Sequence, residues 1–286
     1  MAGKLVVCPT PIGNLGDMSP RALDALRDAD AVCAEDTRVT GRLLAALGVT
    51  GKRIERLDEN LLGQRAEGII ERVRAGEVIA YCTDAGMPGV SDPGLPLVRA
   101  AREAEPPVMV EVLPGPTAAA TAYVASGCID TAFFFGGFFP RKAGERQALL
   151  EGLRALDAAL IFYESPNRLE SALAAIEEAL PMRTMAVCRE LTKLHEEVVR
   201  GTAAQLRALF TSCTVKGEIV LVIDGPAESE RRSDARNALQ VATERADELA
   251  SQGMRPKEIA RTLADEVGIA RNDAYDIALN AKSRRP

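Results

Sequence analysis

The chain has 286 residues, 47% of them hydrophobic and 27% charged, with one histidine, no tryptophan and a formal net charge of −6. That balance excludes a disordered chain and a nucleic-acid binder held by bulk charge, and a lone histidine excludes sites that need two, the common zinc hydrolase patterns among them. The length suffices for roughly two domains with cores of their own.

The N-terminal apolar run, Leu5–Cys8, is too short for a signal peptide and reads as a first strand. The Thr10–Asp17 loop follows it, with Gly13 and Gly16 free to approach a ligand closely, but its spacing fits neither dinucleotide-binding nor phosphate-loop fingerprints. Ser19 and Pro20 then open a helix to Arg27 as N-cap and first helical residue. The strand Ala31–Ala34 ends in Glu35, Asp36, Thr37 and Arg38, a polar cluster that is either a catalytic or substrate group or the capped start of a helix.

Ile54–Leu57 and Val78–Cys82 are further strands, with a helix over Gly63–Arg74 between them. After Cys82 comes the Thr83–Gly94 loop, with three glycines, two prolines and two aspartates in twelve residues. A plain connection rarely needs so much special geometry, which favours a ligand-shaped loop. Val108–Leu113 is the fifth strand, and Pro-Gly-Pro leads into a helix at Thr117–Ala125 whose free N–H groups suit a polar ligand edge or are capped by Thr117. The uncharged run Val112–Ile129 contains prolines and glycines and is not expected to span a membrane.

A second series of strands, Ala132–Phe135, Ala159–Tyr163, Thr184–Cys188 and Glu218–Ile223, follows a break near Ser126–Asp130, with a helix over Arg168–Ala179. Strand–helix alternation predicts an α/β chain with buried, largely parallel sheets. Charged segments at Phe162–Arg168, Arg189–Glu197 and Lys216–Glu218 flank strand ends and suggest one shared cleft. From Pro226 the pattern turns helical, over 234–251, 256–266 and 272–281, with Gly253 and Gly268 as stops. The expected domains are 1–120, 121–227 and a helical region 228–286. Residues 1–120 carry 13 Lys/Arg against 17 Asp/Glu, 121–227 carry 11 against 13, and 228–286 carry 11 of each. The six cysteines show no metal or redox spacing and read as small core residues in a reducing compartment.

Six segments occur in order: Pro9–Leu15, Ala34–Arg38, Asp84–Gly94, Phe162–Pro166, Arg189–Lys193 and Lys216–Glu218. Together they resemble the ribosomal RNA small subunit methyltransferase I family, within the tetrapyrrole-methylase-like superfamily of class III S-adenosylmethionine-dependent methyltransferases. The resemblance spans about residues 4–224, and Asp84–Gly94 is its most diagnostic part. It implies two α/β domains with S-adenosylmethionine in the cleft between them. The implied activity is 2′-O-methylation of a cytidine ribose in the decoding region of 16S ribosomal RNA, by a cytoplasmic homodimer acting on the small ribosomal subunit, with no membrane, DNA or metal partner.

Carried over by position, Asp84, Gly86, Val90, Ser91 and Asp92 contact the cofactor, Thr117 and Ala118 hold it, Phe162 and Tyr163 close the site, and Pro11 and Ile12 face the cleft. Met87 and Asn167 depart from the family's usual residues there. The 2′-hydroxyl must lose a proton, for which Glu35, Asp36 and Glu190 are candidate acceptors, while Lys193 or Arg189 can lower its pKa or hold an adjacent phosphate; Arg38 belongs to the same cluster. His195, ringed by charge, reads as a surface residue rather than the base. The tail resembles a helix-turn-helix with Ile259, Leu263, Val267, Ile269 and Ile277 as core and Arg271, Lys282, Arg284 and Arg285 toward RNA phosphate. The alternatives are a sibling methyltransferase acting on a tetrapyrrole or modified protein, a non-catalytic ribosome-assembly factor, and a nicotinamide oxidoreductase, the last disfavoured by the missing glycine fingerprint. An acidic protein with few basic clusters is expected to need the assembled subunit rather than free RNA.

Overall fold

A computed structural model describes residues 3–92, 94–212 and 214–283. Cys213, Arg284 and Arg285, and the side chain of Lys282, lie outside the described residues. Chain contacts divide the molecule into two units, 1–225 and 226–286.

The first unit opens with β1 (Lys4–Val7), α1 (Pro20–Asp28), β2 (Ala31–Ala34), α2 (Thr37–Ala46), β3 (Ile54–Arg56), α3 (Glu59–Arg74), β4 (Val78–Cys82), α4 (Gly94–Glu103) and β5 (Met109–Val112). The five strands form one parallel sheet in the order β3-β2-β4-β1-β5. Helical crossovers between these strands return each one parallel to its neighbours and cover both faces of the sheet. Leu5, Val7, Ile79 and Tyr81 face α3 and α4, while Val6, Cys8, Ala80 and Cys82 face α1 and α2.

It continues through α5 (Ala118–Ala125), β6 (Phe133–Phe138), α6 (Ala143–Leu153), β7 (Ala159–Glu164), α7 (Leu169–Ala179), β8 (Thr184–Arg189), β9 (Glu197–Thr202), α8 (Ala203–Thr211) and β10 (Ile219–Ile223). The second sheet has the order β6-β7-β10-β8-β9, and only its β6–β7 pair is parallel. The expectation of largely parallel sheets holds for the first sheet and is corrected for the second. The link from β8 to β9 is too short for a crossover helix and can only turn back on itself. Strand β9, absent from the sequence reading, is a half-exposed edge strand without a continuous apolar run.

Although α5 follows the first sheet in the chain, it packs on the second: Ala119 and Ala122 share a core with Ile161, Ala186, Val220 and Val222, and Ile12 from the first half joins them. The connector is stitched down as well. Arg200 donates to the Ser126 carbonyl and to Asp224, and Asp130 accepts from the Gly225 N–H (2.8 Å) and the Cys128 thiol (3.0 Å). Glu164, only 3% exposed, is held by Arg168 at 2.9 Å and faces Arg146 at 3.7 Å. Cys8, Cys33, Cys82 and Cys188 are buried, and burial pushes the thiols of Cys33, Cys82 and Cys188 up to about 12 and that of Cys8 further.

The second unit consists of α9 (Glu228–Ser251), α10 (Pro256–Val267) and α11 (Arg271–Ser283). Pro256 sits in the first turn of α10, and Gly268 ends that helix in the left-handed region at φ +73°. Ile259 and Leu263 are fully buried with Ala242, Ala246, Ala274 and Ala278, and Val267, Ile269 and Ile277 pack partly buried around them. No helix among the described residues is long and apolar enough to cross a membrane.

Candidate active site

Parallel strands end with their carbonyls and following loops on one edge, and the first sheet places its polar loops there. Thr10 and Gly86 bond across that edge in both directions, N–H to carbonyl, at 3.0 and 3.1 Å, and the Thr10 hydroxyl donates to the Thr83 carbonyl. The loop after β1 is thereby joined to the loop after β4. Gly86 lies at φ +84°, and a side chain there would press on Ile12. Asp92 braces the turn from inside, its Oδ1 accepting from the N–H groups of Gly89 (2.6 Å) and Gly94 (2.9 Å). Ser91 holds φ +67°, a conformation that costs a non-glycine residue about 1–3 kcal/mol and is concentrated at ligand-binding sites.

Between these loops and the second sheet lies a cleft of about 450 Å³. Ile12, Glu35, Asp84, Gly86, Val90, Ser91, Asp92, Thr117, Ala118 and Tyr163 line it, joined by Thr83, Phe138, Gly217 and Glu218. The loops that line it come from both halves of the first unit. Phe162 lies elsewhere than expected. Successive residues of a strand face opposite ways, so Tyr163 points to the cleft while Phe162 is fully buried among Phe139, Leu160 and Leu221. Pro11 is buried beside the cleft without lining it. Thr83 is 2% exposed and its hydroxyl has no protein partner, so a polar acceptor or donor in the cleft would complete it. Thr117 is the N-cap of α5 but makes no side-chain cap; the Tyr163 hydroxyl instead meets the Thr117 side chain and the Ala119 N–H, which ties the second sheet to the start of that helix. Volume, apolar walls and the unfilled Thr83 hydroxyl together suit a small polar cofactor.

The expected catalytic residues fall into two groups. After β2, Asp36 caps α2 and is gripped by Arg38 through its N–H (2.8 Å), Nε (3.1 Å) and Nη2 (2.6 Å). Asp84 Oδ1 accepts from the Asp36 N–H. Arg38 holds the Asp36 carboxyl well below the usual range. Burial, with the nearby Asp84 charge, pushes Glu35 above it, and burial also raises Asp84. After β8, Glu190 Oε1 accepts from Lys193 Nζ (2.9 Å) and from the Glu218 N–H (2.9 Å), and Lys193 also meets Glu218 at 3.0 Å. The Lys193 hydrogen bond pulls Glu190 down. Burial pulls Lys193 down too, but its two carboxylate partners outweigh this and raise it. Arg189 is spent on Glu197 and the Lys216 carbonyl. His195 is exposed in the β8–β9 turn. Of the six, only Glu35 lines the cleft.

The second group meets the loop after β1. Glu190 and Thr192 both hold positive φ (+51° and +65°), and the Thr192 hydroxyl accepts from the Asn14 N–H at 3.1 Å. A Cβ on Gly13 would lie 2.5 Å from Lys193 Cγ and 2.7 Å from Thr192 Oγ1. Glycine is therefore required where the first loop docks on the Glu190–Lys193 turn. Sequence reasoning missed Phe138 as a lining residue, and placed Thr83 in a ligand-shaped loop without giving it a role. Phe138 lies beyond the Gly136–Gly137 interruption of β6, where the pairing register with β7 shifts.

A model of the tetrapyrrole (corrin/porphyrin) methylases matches residues 4–207. Proteins named ribosomal RNA small subunit methyltransferase I match nearly end to end. That of Synechocystis sp. is 40% identical over 98% of this chain and 99% of its own, that of Erythrobacter litoralis 43% identical over 98% and 95%, and that of Bacillus subtilis 36% identical over 96% and 93%. Among solved structures, a diphthine synthase superposes with a TM-score of 0.61 at 17% identity, covering 78% of this chain and 90% of that one. The methyltransferase CobJ gives 0.60 at 18%, covering 79% and 95%. These distant likenesses concern the fold.

Proposed function

Because the chain belongs to the tetrapyrrole methylase family, and within it to the ribosomal RNA small subunit methyltransferase I members, we propose that it 2′-O-methylates a cytidine ribose in the decoding region of 16S ribosomal RNA. It is an S-adenosylmethionine-dependent methyltransferase. The observation that carries the reading is a near-full-length match to rRNA methyltransferases in a chain whose cleft is lined by the Asp84–Asp92 loop.

When bound, S-adenosylmethionine supplies a methyl group on a positively charged sulfur, already activated for in-line transfer. The unpartnered Thr83 hydroxyl and the apolar side chains of Ile12 and Val90 fit that molecule, and with Asp84, Gly86, Ser91, Asp92, Thr117, Ala118 and Tyr163 they would hold it. Glu35 is the proton acceptor for the 2′-hydroxyl. It lines the cleft, and its raised pKa makes it a stronger base than Asp36 or Glu190, whose carboxylates are neutralised by Arg38 and Lys193. Glu190, Lys193 and Glu218 position the turn against which the first loop closes. Residues 1–120 and 121–227 supply the two walls of the cleft, and 228–286 docks RNA. The enzyme works in the cytoplasm as a homodimer on the assembled small subunit.

The test is methyl transfer from labelled S-adenosylmethionine to small subunits lacking 2′-O-methylation, with the modified nucleotide mapped. Label at one decoding-region ribose is the expected result. Cofactor binding without any transfer to RNA would overturn the RNA substrate and leave the sibling substrates and, after them, the non-catalytic assembly factor.

A further inference from the structure

Ligand clefts are lined by apolar and aromatic side chains that a bound partner covers. Phe138 lines the cofactor cleft and is 63% exposed. Its ring stands edge-on to Tyr163, centroids 5.6 Å apart and planes at 74°, which holds the ring in place. The backbone beneath is anchored. Phe139 N–H donates to the Tyr163 carbonyl at 2.9 Å, the Phe139 ring is buried under the Arg146 guanidinium, Arg146 donates to the Pro140 carbonyl at 2.6 Å, and Arg168 donates to the Phe139 carbonyl. An inward phenylalanine thus fixes an outward one. The Gly136–Gly137 interruption brings this strand end up to the Asp84–Asp92 loop, where a Cβ on Gly137 would lie 3.4 Å from Ser91 Oγ.

Two cations follow at once. Arg141 and Lys142 are exposed; Lys142 pairs with Glu145 at 2.8 Å, and Arg141 makes no ion pair among the described residues. Three residues of chain reach at most about 10 Å, which keeps both cations within a nucleotide's length of the ring. An exposed aromatic face with cations a nucleotide's length away is the chemistry that captures unstacked single-stranded RNA: the ring takes a base and the cations take phosphate.

We propose that Phe138–Lys142 is the clamp for the target nucleotide, with Phe138 stacking its base and Arg141 and Lys142 holding the adjoining phosphates, so that its ribose is presented to the cofactor cleft. The proposal rests on the RNA-methyltransferase reading above and assigns specificity to residues outside the catalytic cluster. It also explains how a protein of net charge −6 engages RNA, through a local contact rather than bulk attraction.

The experiment uses the full chain, unmodified small subunits and S-adenosylmethionine, with cofactor affinity measured separately by calorimetry. Phe138→Ala is expected to lower kcat/KM for the subunit roughly tenfold, the ordinary effect of losing one stacking aromatic, with a clearly smaller loss of cofactor affinity. Phe138→Tyr is expected to restore it. Arg141→Gln is expected to raise KM for the subunit and flatten its salt dependence. Loss of cofactor affinity in Phe138→Ala with an unchanged subunit KM would make Phe138 a cofactor wall and overturn the clamp, as would wild-type kinetics in all three variants. Failure of the wild-type chain to methylate RNA at all would fell the RNA reading first, and is told apart because it needs no variant.

Discussion

Glu35 faces a conflict that its neighbours do not. Asp36 and Glu190 are ionised by design, each with a cation on its oxygens, whereas Glu35 carries its charge beside Asp84 in a half-dry cleft. A base must be ionised to accept a proton, so activity is expected to fall as pH drops through the raised Glu35 pKa. Glu35→Gln should lower kcat about 10²–10⁴-fold and remove that limb of the pH profile. The effect on stability has the opposite sign. A carboxyl whose folded pKa lies above its unfolded value destabilises the fold once it ionises, so the neutral amide is expected to raise Tm at neutral pH. Calorimetric melting of both proteins at pH 7 checks this, and an unchanged or lower Tm would count against the strained-base reading. The motif holding Glu35 was visible in the sequence, but the division of labour within it was not. Four consecutive polar residues look alike until the backbone turns into α2 and commits Asp36 and Arg38 to each other.

Between elements, the contact that closes the site is the docking of the Pro11–Asn14 loop on the Glu190–Lys193 turn. Gly13→Ala would place a methyl group inside that contact and push the loops apart. The expected cost is about 1–3 kcal/mol of stability, together with weaker cofactor binding, because Ile12 rides on the same loop. Thermal melting and calorimetric titration read the two effects separately; a loss of stability with cofactor affinity intact would detach the loop from the site. Elements such as Val78–Cys82 were legible because a buried parallel strand is written as a continuous apolar run. Strand β9 was not, since Glu197–Thr202 is a half-exposed edge that mixes charge and glycine with valine. Nor was strand direction legible, because it depends on loop length and on which neighbour is already paired. Phe162 and Tyr163 show the same limit at finer grain: alternation is certain from sequence, but the face each residue takes is fixed only by what packs against the sheet.

At the scale of the whole molecule, the cleft is lined by residues of the first unit, and the three-helix second unit has a separate core. A chain ending at Gly225 is therefore expected to bind S-adenosylmethionine within about twofold of the full chain, the spread of ordinary context effects. It should lose methyl transfer through a raised KM for the subunit. Full transfer by the shortened chain would remove the RNA-docking role of the tail. The boundary near Pro226 was legible as the point where strand-like runs stop. The tail's function was not, because its equal numbers of acidic and basic residues suit a plain helical bundle as well as an RNA contact.

The sealed cysteines have a consequence for how such a molecule can be watched. With their thiols held near 12 or above, Cys33 and Cys82 in the first sheet and Cys188 in the second are almost wholly un-ionised at neutral pH and shielded from reagents. Each becomes alkylable only when its own sheet opens. The sequence thus carries internal clocks in both halves of the cleft, and the order in which they tick under mild denaturant gives the order in which the halves let go.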